Sequence, residues 1–433
     1  MFVQLIALAS AAVAVNAQAI TLPLEQVATN FGGPGSHHRI FETLASLGEE
    51  FQVLEEDATG EHIVRDAATS AVINLTNLRN GLSYLVNIKV GTPGQPFLMT
   101  LDTGSNQLWV PSATCGATGN CANLNYYESS RSSSYIPTSN AIATNITYGK
   151  GFVKGYTATD VVTMGPYVAQ NHPILVVSSE DATLLKQLKG TSDGVLGLAY
   201  LNGGNLNSTN AGVKIPTIFN SFFAQKQFTE PVFSIYLGPL SAQSTFTLGG
   251  VDSSRVNASA VVYFPVTSHP VLSYYWTLES VSLGTDSKTF SAPPQTSAVY
   301  AVIDSGSSFL IVDSTTFKSN VLPALQSSGA RVEFDAPTNI TVVECADISK
   351  LPTFTFAFVD EKGTTQKYGL QGKDYVIQVT VEGATGCVVG FSPTATIRKD
   401  GSVMWILGDV FLRKVVSVFD FGKGRVGFAT VDG

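Results

Sequence analysis

The feature that most limits how this chain folds is a pair of short signals, each met twice and in the same order. Asp102-Thr103-Gly104-Ser105 returns as Asp304-Ser305-Gly306-Ser307, 202 residues later. Val195-Leu196-Gly197, within DGVLGLAY, returns as Ile406-Leu407-Gly408, within MWILGDVF, 211 residues later. A period this long does not build a solenoid. Two features kept in order at nearly one offset predict two related lobes, each burying its own core. The 433-residue chain is long enough for both.

The first of these signals sits in FLMTLDTGSNQLWVPS, from Phe97 to Ser112. The stretch reads as a buried strand, and a lone carboxylate is costly to bury as a charge. A second Asp at the end of a matching strand gives a reason to keep it. Two carboxylates ~3 Å apart at an effective dielectric of ~20 repel by ~5 kcal/mol, roughly 4 pKa units. Such a pair shares one proton over a broad acidic range. One member can then take a proton from water while the other gives one to a carbonyl, with no metal, cofactor or covalent nucleophile. Gly at the third position permits a tight turn, and the flanking hydroxyls can donate to the carboxylates.

The rest of the chain suits this layout. It is 44% hydrophobic and 13% charged, and short alternating apolar runs are punctuated by turn residues. The fold class expected is all-β, bilobal, with a cleft between the lobes and a few short helices, at 217–227 and at 315–326 with Pro323 as a kink. The expected domains are a signal peptide at 1–19, an acidic propeptide at 20–70, an N-terminal lobe at 71–258 and a C-terminal lobe at 259–433. The first 19 residues are an apolar run closing on Ala17-Gln18-Ala19. No later run is long enough to span a bilayer. The protein is therefore expected to be secreted, with an acidic vacuole as the other destination, without a membrane anchor, and monomeric.

Four cysteines after a signal peptide imply disulfides. Three pairings are open, the simplest being Cys115–Cys121 with Cys345–Cys387. Sequons at Asn74, Asn145, Asn207, Asn257 and Asn339 are candidates for glycosylation. Residues 20–70 carry nine acids against Arg39 and Arg65, a net charge of −7 out of −8 for the whole chain. The body is nearly neutral, which gives no case for nucleic-acid binding.

Beyond Tyr84 the sequence resembles the pepsin family of aspartic endopeptidases, as far as Phe428. The resemblance rests on LDTGSNQLWVPS, VIDSGSS, ITYGKG at 146–151, DGVLGLAY, WILGDVFL and FTLGGVDSS. It implies that Asp102 and Asp304 form a catalytic pair. Thr103 and Ser305 would bind across to the opposite loop, and Ser105 and Ser307 would bond the outer carboxylate oxygens. Tyr148, Gly149 and Lys150 would belong to a flap over the cleft, with the Tyr148 hydroxyl near Trp109. Gly104, Gly306 and Ser308 would bond an extended peptide, and Thr100, Ser192 and Val195 would border the central pocket. Protein or peptide substrates and the chain's own propeptide are the partners implied.

The sequence departs from the family in four places. Ser305 stands where Thr is more usual, with its hydroxyl kept. Asn106-Gln107 replaces Ser-Asn or Ser-Asp and is expected to alter the surroundings of Trp109. Lys150 stands where many fungal relatives carry Asp, so basic side chains near the cut are expected to be disfavoured and hydrophobic ones preferred. The leader has no lysine before Lys89 to cover the catalytic pair; His37, His38 and His62 within it are expected to assist acid-triggered release. Without a Lys-Arg processing site, the mature chain is expected to start near 66–82. An inactive relative that binds a partner in the cleft is the rival reading, although both Asp residues are present. Serine-hydrolase chemistry is set aside because His172 and His269, the histidines of the body, have no evident Ser partner.

Overall fold

The computed structural model describes residues 70–430, except 79–80, 119, 122, 139–142, 149–150, 189–190, 201–214, 240–241, 270–271, 280, 291–295, 382–383, 395–397 and 399. Of the leader it describes only Ala12–Val15 paired with Gln18–Thr21. The readings placed on Asn207, Gly149, Lys150 and the leader histidines lie outside these residues.

The strands form because apolar residues alternate. Gln95–Asp102 and Ser83–Val90 pair in antiparallel register and turn Phe97, Met99, Leu101, Val86, Ile88 and Val90 into the core. Val415–Asp420 is buried along its whole length, as befits a strand covered on both faces. The architecture is mostly β, with few and short helices, as expected.

The repeated signals become the same substructure twice. In the N-terminal half, Gln95–Asp102 runs parallel to Gly194–Gly197, with Asp102 opposite Gly197; that strand is in turn antiparallel to Leu108–Pro111. In the C-terminal half, Val299–Ile303 runs parallel to Val403–Leu407, which is antiparallel to Leu310–Asp313. Each Asp therefore leaves the end of a central strand and enters a loop that returns beside it.

The halves are also joined by pairing. One 14-stranded sheet carries Val262–Pro265, Arg425–Thr430, Val415–Asp420, Val232–Tyr236, Ser244–Leu248 and Ala71–Leu78 in adjacent positions. Val415–Asp420, near the end of the chain, thus hydrogen-bonds to Val232–Tyr236, from before residue 258. Packed on this junction are Phe233, Trp276, Phe419 and Phe421, with ring centroids 4.6–6.2 Å apart. Aromatic pairs of this kind contribute about 0.5–1.5 kcal/mol each beyond burial.

Both helix expectations correspond to helices. Ile218–Ala224 starts at a capping box between Thr217 and Asn220. The second runs from Ser314 to Gln326, capped by Asp313, with a π turn at Phe317–Val321 directly before Leu322–Gln326, where Pro323 has no N–H to donate. The disulfides are Cys115–Cys121 and Cys345–Cys387.

Candidate active site

The two Asp loops face each other across the junction. Thr103 Oγ1 donates to the Ile303 carbonyl (2.8 Å) and accepts the Ser305 N–H (2.9 Å). Ser305 Oγ donates to the Leu101 carbonyl (2.8 Å) and accepts the Thr103 N–H (3.1 Å). Four buried bonds tie one loop to the other with two-fold symmetry. Each carboxylate is then held alike. Asp102 accepts from the Ser105 hydroxyl and the Gly104 N–H, and Asp304 from the Ser307 hydroxyl and the Gly306 N–H.

Glycine is required here by approach rather than by turn geometry. A Cβ on Gly104 would lie 2.5 Å from Asp304 Oδ1, and one on Gly306 would lie 2.3 Å from Asp102 Oδ1. Each carboxylate therefore rests against the opposite loop's backbone. The repeated apolar-apolar-Gly segments brace the loops from behind. The N–H groups of Leu198 and Ala199 donate to the backbone carbonyls of Asp102 and Ser105, and those of Asp409 and Val410 to the backbone carbonyls of Ser307 and Ser308.

Asp102 and Asp304 are 6% and 8% exposed. The Asp102 carboxyl titrates well above the usual carboxylate range. Burial is the main cause, the Asp304 charge adds to it, and the Ser105 and Gly104 donors oppose it. Asp409, 1% exposed and directly behind Ser307, is raised as well, by burial first. Such coupling leaves one proton within the site across a wide pH range.

The hairpin of Ala143–Tyr148 and Gly151–Met164 brings Tyr148 against Trp109. The Trp109 indole N–H donates to the Tyr148 hydroxyl at 2.8 Å, as the resemblance implied. Asn145 is exposed on this hairpin's outer strand. The Ser308 hydroxyl donates to the Leu82 carbonyl and is engaged within the chain. Ser192 is buried beneath the central strand, where it accepts from the Thr100 hydroxyl (3.0 Å) and donates to the Gly194 carbonyl (2.7 Å). Asn106 and Gln107 are buried, and among the described residues Asn106 Nδ2 and Gln107 Oε1 have no hydrogen-bond partner.

One expectation needs correction. His172 does have a serine partner: Nδ1 lies 2.8 Å from Ser221 Oγ. The pair forms between a strand and the Ile218–Ala224 helix, 49 residues apart, so local sequence does not reveal it. The ring is 1% exposed, which keeps it from any substrate and leaves it out of hydrolytic chemistry. Among the described residues, no group of three or more His, Cys, Asp and Glu side chains is arranged to hold a metal.

Sequence reasoning passed over Tyr275. It directly precedes Trp276, whose carbonyl accepts the N–H of Ile303. Burial chiefly raises its hydroxyl pKa, and the charges of Asp102 and Asp304 raise it further, so both act on it. No motif flags it, because the strand pairing that brings it there is made by the fold.

Comparison with known proteins gives one picture. A family model described as eukaryotic aspartyl protease matches residues 83–431. Human gastricsin is 30% identical over 80% of this chain and 81% of its own length. Cathepsin D of Dictyostelium discoideum is 31% identical over 80% of this chain and 83% of its own. Pepsin A of Bos taurus is 29% identical over 88% of this chain and 93% of its own. The crystal structure of an aspartic proteinase from Irpex lacteus shares the fold, with a TM-score of 0.65 at 22% identity, over 84% of this chain and 98% of that one.

Proposed function

This chain belongs to the eukaryotic aspartyl protease family and is an aspartic-type endopeptidase acting on proteins or peptides, and on that footing we propose that Asp102 and Asp304 are its catalytic pair, working at acidic pH after export. The observation that carries the reading is the two-fold cradle: matched donors on each carboxylate, and a glycine of the opposite loop against each. A water bound between the carboxylates loses a proton to the ionised member as its oxygen attacks the peptide carbonyl carbon. The protonated member gives its proton to the carbonyl oxygen. The resulting diol collapses as the amide nitrogen takes up a proton, and the C–N bond breaks. The Tyr148 hairpin covers the substrate, which lies as an extended strand.

Thr103 and Ser305 act as positioning residues, Ser105 and Ser307 orient the carboxylates, and Gly104, Gly149, Lys150, Gly306 and Ser308 border the peptide; Trp109, fully buried, holds the Tyr148 hydroxyl instead of touching substrate. Lys150 disfavours basic side chains near the cut, leaving hydrophobic ones preferred. The acidic leader is removed on activation.

The test is digestion of casein or haemoglobin against pH after leader removal, followed by a peptide-library profile. Acid activity blocked by a statine-type inhibitor and lost in Asp102→Asn is expected, with hydrophobic residues flanking the cut. Full acid activity in Asp102→Asn would overturn the assignment of the pair, and a profile dominated by Lys or Arg would overturn the role of Lys150.

A further inference from the structure

The hairpin of Ala143–Tyr148 and Gly151–Met164 has two unlike faces, because successive side chains of a strand point to opposite sides. Ile146 and Tyr148 point inward and pack on a buried cluster that includes Val153, Leu175 and Trp109. Asn145 and Thr147, which alternate with them, are exposed. The register sets Asn145 opposite Lys154 and Thr147 opposite Phe152, so these four side chains share the outer face. Lys154 is exposed as well, and its Nζ lies 4.9 Å from the centroid of the Phe152 ring, as two neighbours on one face must.

Asn145-Ile146-Thr147 is a sequon whose acceptor amide and hydroxyl both stand on that outer face. A sugar chain is bulky and hydrated, so it fits a folded protein only where the Asn points into solvent. Here it does, and on a strand with a free edge. Among the described residues, Ala143–Tyr148 pairs with Gly151–Met164 and with no other strand. An open edge invites pairing with another chain, and proteins cover such edges. Phe152 is diagonal to Asn145 across the hairpin, at the ~7–8 Å spacing over which an aromatic ring still reaches its neighbour. A half-buried ring with an ammonium beside it offers a sugar two things: an apolar surface for its C–H face and a hydrogen-bond donor for its oxygens.

We propose that Asn145 carries an N-linked glycan whose innermost sugar packs on Phe152 and Lys154, covering the free edge of the hairpin on the face turned away from Tyr148. The co-reactant is an oligosaccharide linked to a lipid pyrophosphate. Asn145 Nδ2 bonds to the anomeric carbon of its N-acetylglucosamine. The C–O bond to the pyrophosphate breaks, the pyrophosphate leaves with the electron pair, and the amide gives up one proton to solvent. This rests on the export stated in the proposed function, since the sugar donor belongs to the secretory route; it is independent of the catalytic pair.

The test expresses the full chain in a eukaryotic secretory host and collects the exported protein. Peptide-N-glycosidase in heavy-oxygen water converts a glycosylated Asn into labelled Asp, so the peptide spanning Asn145 is expected to carry the label. The intact mass of Asn145→Gln should be lower by one glycan. Packing is read from thermal unfolding. Complete removal of the glycan should lower Tm by about 2–4 °C, whereas an endoglycosidase that leaves only the innermost sugar on Asn145 should keep Tm. Asn145→Gln should lower Tm by the same amount, and in a Phe152→Thr background that drop should vanish. An exported protein with Asn145 unlabelled overturns the inference while leaving export standing. A label at Asn145 with a Tm indifferent to the innermost sugar, or a drop that survives in Phe152→Thr, overturns the packing on Phe152. A chain that folds but is not exported overturns both the inference and the export on which it rests.

Discussion

His172 and Glu180 lie on one strand, Tyr167–Glu180, and are 1% and 8% exposed. Neither carboxylate oxygen of Glu180 has a hydrogen-bond partner among the described residues, nor has His172 Nε2. Burial pulls the His172 value down from 6.5 to about 3. Its neutral form is the folded form, so stability drops by about 1.4 kcal/mol per pH unit as pH falls from the ordinary histidine value toward 3. Burial pushes Glu180 up from 4.5 to about 7, against the nearby Asn123 amide. Its stabilisation is complete below the ordinary value and is lost as pH rises toward 7. The two residues together favour mildly acidic conditions. In thermal unfolding, His172→Asn is expected to raise Tm at pH 3.5 by several degrees, and Glu180→Gln to do so at pH 7.5. Equal shifts at both pH values would contradict this. At this scale the sequence was informative where a motif repeats. Asp102 and Asp304 could be read from it, while the Trp109–Tyr148 contact followed only from the family resemblance. Tyr275 and the His172–Ser221 pair could not, since only the tertiary fold sets those side chains in place.

The elements that matter most are the two Asp loops, and what holds them is the hydroxyl bridge. Thr103 and Ser305 are 0% and 2% exposed. Thr103→Val keeps the shape of the side chain and removes its hydroxyl, leaving the Ser305 N–H and the Ile303 carbonyl each without its Thr103 partner. A buried polar group without a partner costs about 1–3 kcal/mol. Urea unfolding of Thr103→Val should therefore show a loss of at least about 2 kcal/mol, with a fall in kcat as the carboxylates lose their mutual alignment. Unchanged unfolding and kcat would show that the bridge is not what holds the loops. Individual strands were legible from their alternation, and the two helices as short candidate segments; their caps were not. Partner choice was not. Nothing local in Val415–Asp420 specifies that it pairs with Val232–Tyr236, some 180 residues earlier. The π turn before Pro323 was legible only as a kink.

For the molecule as a whole, the repeat was the strongest guide, because two substructures of one topology must meet to give a complete site. The repeat foretold two related halves; it did not show that a single 14-stranded sheet would run through both. That sheet and the aromatic cluster on it fix how the halves meet, and therefore how the Asp102 carboxylate lies against Gly306. The account's central claim is that the two half-sites act as one acid–base unit sharing a proton. The most direct measurement is kcat/KM for one peptide against pH, in the wild-type enzyme and in Asp304→Asn. The account predicts a bell whose two apparent pKa values are split far more widely than those of independent carboxylates, with the upper limb raised by burial and mutual repulsion. It also predicts a loss of roughly 10²-fold or more in Asp304→Asn. A profile governed by a single ordinary carboxylate, or an Asp304→Asn enzyme that keeps its activity and bell, would contradict it.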